Sequence, residues 1–277
     1  MFEHVKLVLK GGIIGVANII PGVSGGTMAV VLGVYEDLID AISNFFTNKE
    51  KRNFYVWFLL KIAFGAVVAI LALSWVMDFL LLNYPKKTYL FFIGLIAGSI
   101  PSIYNAHDDM KPNISSVIAF FAGVLLILSF AWFFPEADKT KDIGFQYDAT
   151  GSGLILLLVG GFFAGGSMIV PGISGSFVLV LLGQYRVVIT AIKELNFILL
   201  GVIAVGAGLG VWAFAKLINL LLKSFPKQTF YFILGLVVAS LYPIFPGLPN
   251  GIIQASFGIM LAFLGAGIAY GLGNKKA

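Results

Sequence analysis

The chain of 277 residues contains no cysteine, which excludes disulfide staples, thiolate metal sites and thiol nucleophiles. Charge is scarce as well. Only 11% of residues are charged against 59% hydrophobic, and the mean hydropathy of +0.98 lies far outside a soluble domain's balance. There are two histidines, His4 and His107. Both fall near expected membrane boundaries, so solvated loop positions are expected rather than a metal site or a proton relay. No stripe of one sign is present. The net charge of +5 is scattered over short loops, which suits an anionic leaflet and excludes nucleic acid as a partner. No small-residue cleavage site follows the first apolar run, so no removable signal peptide is expected. What remains is the composition of an integral membrane protein.

Within the apolar runs one short sequence occurs twice. Pro21-Gly-Val-Ser-Gly-Gly26 is matched by Pro171-Gly-Ile-Ser-Gly-Ser176. Leu32-Gly33-Val-Tyr35 is matched by Leu182-Gly183-Gln-Tyr185, and Ala41-Ile42 by Ala191-Ile192, all at an offset of 150 residues. Further on, Tyr84-Pro-Lys-Lys-Thr-Tyr89 resembles Phe225-Pro-Lys-Gln-Thr-Phe230, with Gly94-Leu95 answering Gly235-Leu236. Proline and glycine at membrane depth free backbone groups that must be satisfied by protein or face a cavity. A repeat with broken apolar segments at matching places points to a transporter site between the copies.

Hydropathy divides the chain into a first repeat, 1–134, a polar linker, 135–152, and a second repeat, 153–277. The first repeat is expected to hold a hairpin at 11–46, its limbs about 11–20 and 27–46, then spans at about 54–82, 88–104 and 114–134. The second is expected to hold a hairpin at 153–193 and spans at about 195–222, 229–245 and 251–272. A hairpin returns the chain to its starting side, and three further spans then invert the second copy. The expected fold is therefore all-α and polytopic, with two inverted structural repeats, each a Pro-Gly re-entrant helical hairpin plus three membrane spans. Lys6, Lys10, Lys49, Lys51, Arg52, Lys111, Lys223, Lys227, Lys275 and Lys276 collect on the side of the N-terminus, and the linker lies opposite. Fewer basic residues share the linker's side, so both termini are expected in the cytoplasm. A continuous kinked helix at each motif would instead make the repeats parallel.

After each break the next helix begins with free N–H groups and a positive dipole end, which Ser24, Thr27, Ser174 and Ser176 can cap. Ser24, Gly25, Gly26 and Thr27, with Ser174, Gly175 and Ser176, could cradle a phosphate or carboxylate, because glycines admit the anion to the backbone and hydroxyls bond it. Pro21, Gly22, Pro171 and Gly172 make the breaks. The competing reading is that these residues only kink helices and allow close packing. Glu36 and Arg186 occupy equivalent positions. Arg186 is a candidate phosphate ligand, Glu36 and Asp78 are candidates for proton coupling or gating, and Asp37 and Asp40 are read as solvated or capping groups. Lys61 and Lys216 are expected to snorkel to the interface.

The segments Gly15-Val-Ala-Asn-Ile-Ile-Pro-Gly-Val-Ser-Gly-Gly-Thr27 and Met168-Ile-Val-Pro-Gly-Ile-Ser-Gly-Ser-Phe177, with Gly33-Val-Tyr35 and Gly183-Gln-Tyr185, resemble the bacterial polyprenyl-phosphate transporter family, formerly a domain of unknown function. The likeness extends over essentially the whole chain. It implies a cytoplasmic-membrane flippase that returns undecaprenyl phosphate, the lipid carrier of cell-wall precursors, from the outer to the inner leaflet. It implies no cofactor, and membrane lipids and the lipid phosphate as partners. Two departures stand out, because the family pattern places acids where Asn18 stands and near Arg186. An ion-coupled carrier of a small anionic solute shares the same physics. A polyprenyl-pyrophosphate phosphatase fits less well, since its related motif has arginine after the serine where this chain has Gly25 and Gly175.

Overall fold

The computed structural model describes residues 2–19, 23–107, 109–133, 151–247 and 251–273, and these residues form twelve α-helices. The first half contains α1 (Phe2–Ile19), α2 (Gly25–Val31), α3 (Tyr35–Asn44), α4 (Arg52–Asn83), α5 (Pro85–Tyr104) and α6 (Ile114–Phe133). The second repeats the order with α7 (Gly151–Ile169), α8 (Gly175–Leu181), α9 (Tyr185–Lys193), α10 (Phe197–Ser224), α11 (Pro226–Ile244) and α12 (Ile252–Gly273). Six helices, α4, α5, α7, α10, α11 and α12, carry stretches long and apolar enough to cross a membrane. The protein is an all-helical, multi-pass membrane protein. Pro85 and Pro226 open α5 and α11 at the first helical position, where a missing N–H costs nothing.

The stretch 27–46, a single apolar limb by hydropathy, is two helices. Gly33 ends α2 with φ +62°, Gly33 N–H donates to Val30 O and Val34 N–H donates to Ala29 O. That pair of bonds is a Schellman cap, which needs a left-handed residue at the glycine. Gly183, at φ +70°, builds the same cap with Val180 O and Leu179 O. The paired Leu-Gly-x-Tyr sequences are therefore helix stops, and α8 meets α9 at a bend of 115°. His4 also differs from expectation. It lies in α1, with its Nδ1 2.8 Å from Lys61 Nζ.

The long helices pack in pairs: α1 with α4, α7 with α10, α5 with α12, and α6 with α11. Small residues make the pairs possible. A β-carbon on Gly11 or Gly15 would strike the backbone of Ile62 or Ala66, one on Gly165 the backbone of Ala207, and one on Gly94 or Gly98 that of Ala262 or Ala266. Without a hydrophobic drive between helices in lipid, such close backbone approach supplies the packing energy. Because α5–α12 and α6–α11 each join one half to the other, the two halves share one core.

Polar contacts gather the helix ends. At one end Lys61 meets His4, Tyr55 Oη donates to Asp40 Oδ2 at 2.9 Å, and Lys223 Nζ lies 3.8 Å from Asp40 Oδ1. Beyond them Lys227 Nζ lies 2.7 Å from Asp109 Oδ2, and Gln228 Nε2 donates to Ser115 Oγ at 3.0 Å. The two short-helix units are packed unequally. α2 and α3 enter the core, with α3 against α10 of the other half, where Asn219 Nδ2 donates to Ser43 Oγ at 2.6 Å. α8 and α9 keep to their own half, against α7 and α10.

Candidate functional site

The described parts of the two repeated motifs are bonded to each other. Thr27, 1% exposed in the short helix α2, accepts a hydrogen bond from Gly172 N at 2.8 Å. Ser24 Oγ donates to Val170 O at 3.3 Å, and Tyr35 Oη donates to Ile169 O at 3.1 Å. Three bonds thus carry the first motif onto the turn 169–172 of the second. They satisfy backbone groups that the break between α7 and α8 releases. Gly26 is required here, since a β-carbon would lie 2.8 Å from Ile169 O. Gly172 holds φ +84°, a conformation that favours glycine.

Ser24 and Ser174 occupy the N-cap positions of α2 and α8 with extended backbone, but neither side chain caps its helix. That corrects the expected capping role, and the reason is competition. Ser24 is drawn to Val170, and Asn18 takes its place by accepting from Gly25 N at 3.2 Å. Asn18 Nδ2 in turn donates to Ile14 O at 3.1 Å, so an amide bridges the end of α1 to the start of α2. In the second half Ser174 Oγ and Ser176 Oγ lie 2.9 Å apart and half-buried, beside buried Gly175. Pro171 is fully buried.

Other candidates differ in exposure. Arg186 is exposed in the first turn of α9, and Glu36 is exposed in the first turn of α3. Pro21, Gly22 and the side chain of Asp78 lie outside the described residues, as does most of the linker. Asp40, read as solvated or capping, instead ties α3 to α4 and α10 through Tyr55 and Lys223 and accepts from Asn44 Nδ2 at 2.7 Å. Lys216 Nζ sits 5.0 Å from the Trp212 ring centroid. Among the described residues no group of three histidine, aspartate or glutamate side chains could hold a metal ion. Tyr35, quoted in the motif but given no role, and the Ser43–Asn219 contact were not found from sequence. Their partners are more than 130 residues away, and no local pattern carries such a pairing.

Two broken-helix motifs bonded to each other between long apolar helices are the architecture of a membrane transport protein. The family model described as VCA0040-like, undecaprenyl phosphate translocase-like, matches residues 14–257, and the chain belongs to that family. It is 33% identical over 278 residues to a polyprenyl-phosphate transporter of Staphylococcus aureus, covering 98% of this chain and 96% of that one. It is 28% identical over 255 residues to a polyprenyl-phosphate transporter of Vibrio cholerae, covering 88% of this chain and 78% of that protein. No solved structure matches.

Proposed function

We propose that this protein is a flippase for undecaprenyl phosphate in the bacterial cytoplasmic membrane, recycling the carrier lipid from the outer to the inner leaflet, and that it is not an enzyme. The observation that carries the reading is the direct bonding of Thr27 to Gly172 and Ser24 to Val170. A lipid phosphate needs a small polar passage for its head across about 30 Å of hydrocarbon, while its tail stays in lipid. The motif junction supplies hydroxyls and helix ends for that passage. In the observed arrangement Ser24 and Thr27 are engaged by protein, and Ser174 with Ser176 forms the half of the cradle bonded only locally. Parting of the halves frees the remaining hydroxyls, with Gly25, Gly26, Gly175 and Arg186 completing the phosphate site. Glu36 and Asp78 are assigned to coupling or gating.

We read the halves as inverted repeats with both termini cytoplasmic. In support, the contacts of Lys61 with His4, Asp40 with Lys223 and Asp109 with Lys227 bring residues 4, 40, 61, 109, 223 and 227 to one end. A chain whose first 52 residues made one continuous crossing would separate several of these. The test is reconstitution in liposomes with fluorescent undecaprenyl phosphate in one leaflet. The parent protein is expected to move the lipid, and Ser174→Leu with Ser176→Leu is expected to stop it. Equal rates in empty and protein-bearing liposomes would sink the reading.

A further inference from the structure

A groove of about 470 Å³ opens between the helix pairs α1–α4 and α5–α12, away from the motif junction. Its size falls in the range of small-molecule sites. Val16, Met77, Leu80, Phe91, Phe92 and Leu261 give it an apolar wall. Lys87 is the one charged residue along it, and its Nζ is 5.4 Å from the Tyr84 ring centroid and 5.1 Å from that of Phe257. Lys87 is half-buried, and both rings are half-exposed. An ammonium beside aromatic faces and an apolar wall attracts an anion more strongly than one in bulk water.

The second half does not repeat this cation. The residue equivalent to Lys87 is Gln228, which donates to Ser115 Oγ, while the neighbouring lysine, Lys227, is committed to Asp109. The place of Lys87 also matters. It lies one turn past Asn83, the last residue of the 32-residue α4, whose other end carries Arg52 and the polar contacts with α1, α3 and α10. Such a helix is about 48 Å long, so Lys87 lies at the opposite end of α4 from Arg52.

We propose that this groove is the loading site for the outer-leaflet substrate: the isoprenoid chain lies along Val16, Leu80, Phe91 and Leu261, and the phosphate monoester pairs with Lys87. The assignment rests on the polyprenyl-phosphate reading above. The single cation beside an otherwise apolar wall matches an anion on a hydrocarbon chain, and Val16, which lines the groove, is three residues from Ile19, where α1 stops before the first motif.

The experiment measures binding to purified protein in nanodiscs, separately from transport. Lys87→Gln is expected to weaken undecaprenyl phosphate about tenfold, the scale of one charge-assisted hydrogen bond near a surface. It should leave undecaprenol, which has no phosphate, within about twofold of the parent. Lys87→Arg is expected to recover most of the loss. Leu261→Trp and Val16→Phe, which fill the groove, should weaken both lipids. Inorganic phosphate and phosphatidylglycerol in large excess should displace little. Parent-like binding by Lys87→Gln and by both groove-filling variants would overturn the proposal, as would displacement by inorganic phosphate or phosphatidylglycerol at concentrations similar to the lipid. Failure of the parent to transport in liposomes would instead fall on the flippase reading, since the groove is judged by binding alone.

Discussion

Thr27 holds the first motif to the second through a single acceptor oxygen. Replacing it by valine keeps the shape and removes the partner of Gly172 N. A buried N–H left without an acceptor costs about 1–3 kcal/mol, so Thr27→Val is expected to lower the midpoint of thermal unfolding in detergent. Thr27→Ser, which retains the oxygen, should lie close to the parent. Equal midpoints for all three proteins would mean that this bond adds nothing to the closed junction. At the same scale, Asn18 shows how one amide can serve two helices. It ties the end of α1 to Gly25 where the expected serine cap is occupied elsewhere.

At the scale of elements, the clasp between the loop after α5 and the start of α11 has a definite pH response. The Lys227 ammonium, donating to Asp109, holds that carboxyl below its ordinary value against a smaller opposing effect of desolvation. A depressed carboxyl stabilises above its unfolded pKa of about 3.9 and loses that contribution as pH falls through the folded value. Protection of the 105–113 loop from hydrogen exchange, compared between the parent and Asp109→Asn, should therefore differ at neutral pH and converge in acid below the ordinary carboxylate range. A difference that persists unchanged at low pH would rule out the ionised clasp. The elements themselves were largely legible from hydropathy. The run 54–82 is α4, Arg52–Asn83, because a long apolar stretch without polar interruption has no cheaper structure in lipid. The break at Gly33 was not legible, since Leu-Gly-x-Tyr reads as apolar until the positive φ is seen. Nor was the Lys87 groove. Its walls come from α1, α4, α5 and α12, and only helix pairing across the halves brings them together.

For the whole molecule, the unequal packing of the two short-helix units has the largest consequence. α3 is docked on α10 through Ser43 and Asn219, while α9 remains with its own half. The equivalent positions, Lys193 for Ser43 and Asp78 for Asn219, differ in chemistry from the docked pair. The chain has no cysteine, so Ser43→Cys with Asn219→Cys introduces the only thiols. Bridging them with a short bifunctional reagent is expected to halt flipping in liposomes and leave binding of undecaprenyl phosphate in nanodiscs intact. Full transport by the bridged protein would show that α3 and α10 stay together throughout the cycle.

A duplicated chain could fold so that its two copies do the same thing, and this one does not. The sequence symmetry of the motifs coexists with a structural asymmetry at their docking. On the inverted-repeat reading proposed above, a second arrangement that swaps the roles of the copies would use the same helix pairs, and the protein would exchange between the two. Because the duplicated halves have diverged at Thr27 and Phe177, and at Lys87 and Gln228, the two arrangements need not be equally populated. The preference for one arrangement is then a property of the difference between the copies, and making them more alike, with Phe177→Thr and Gln228→Lys, would bring the two populations closer together.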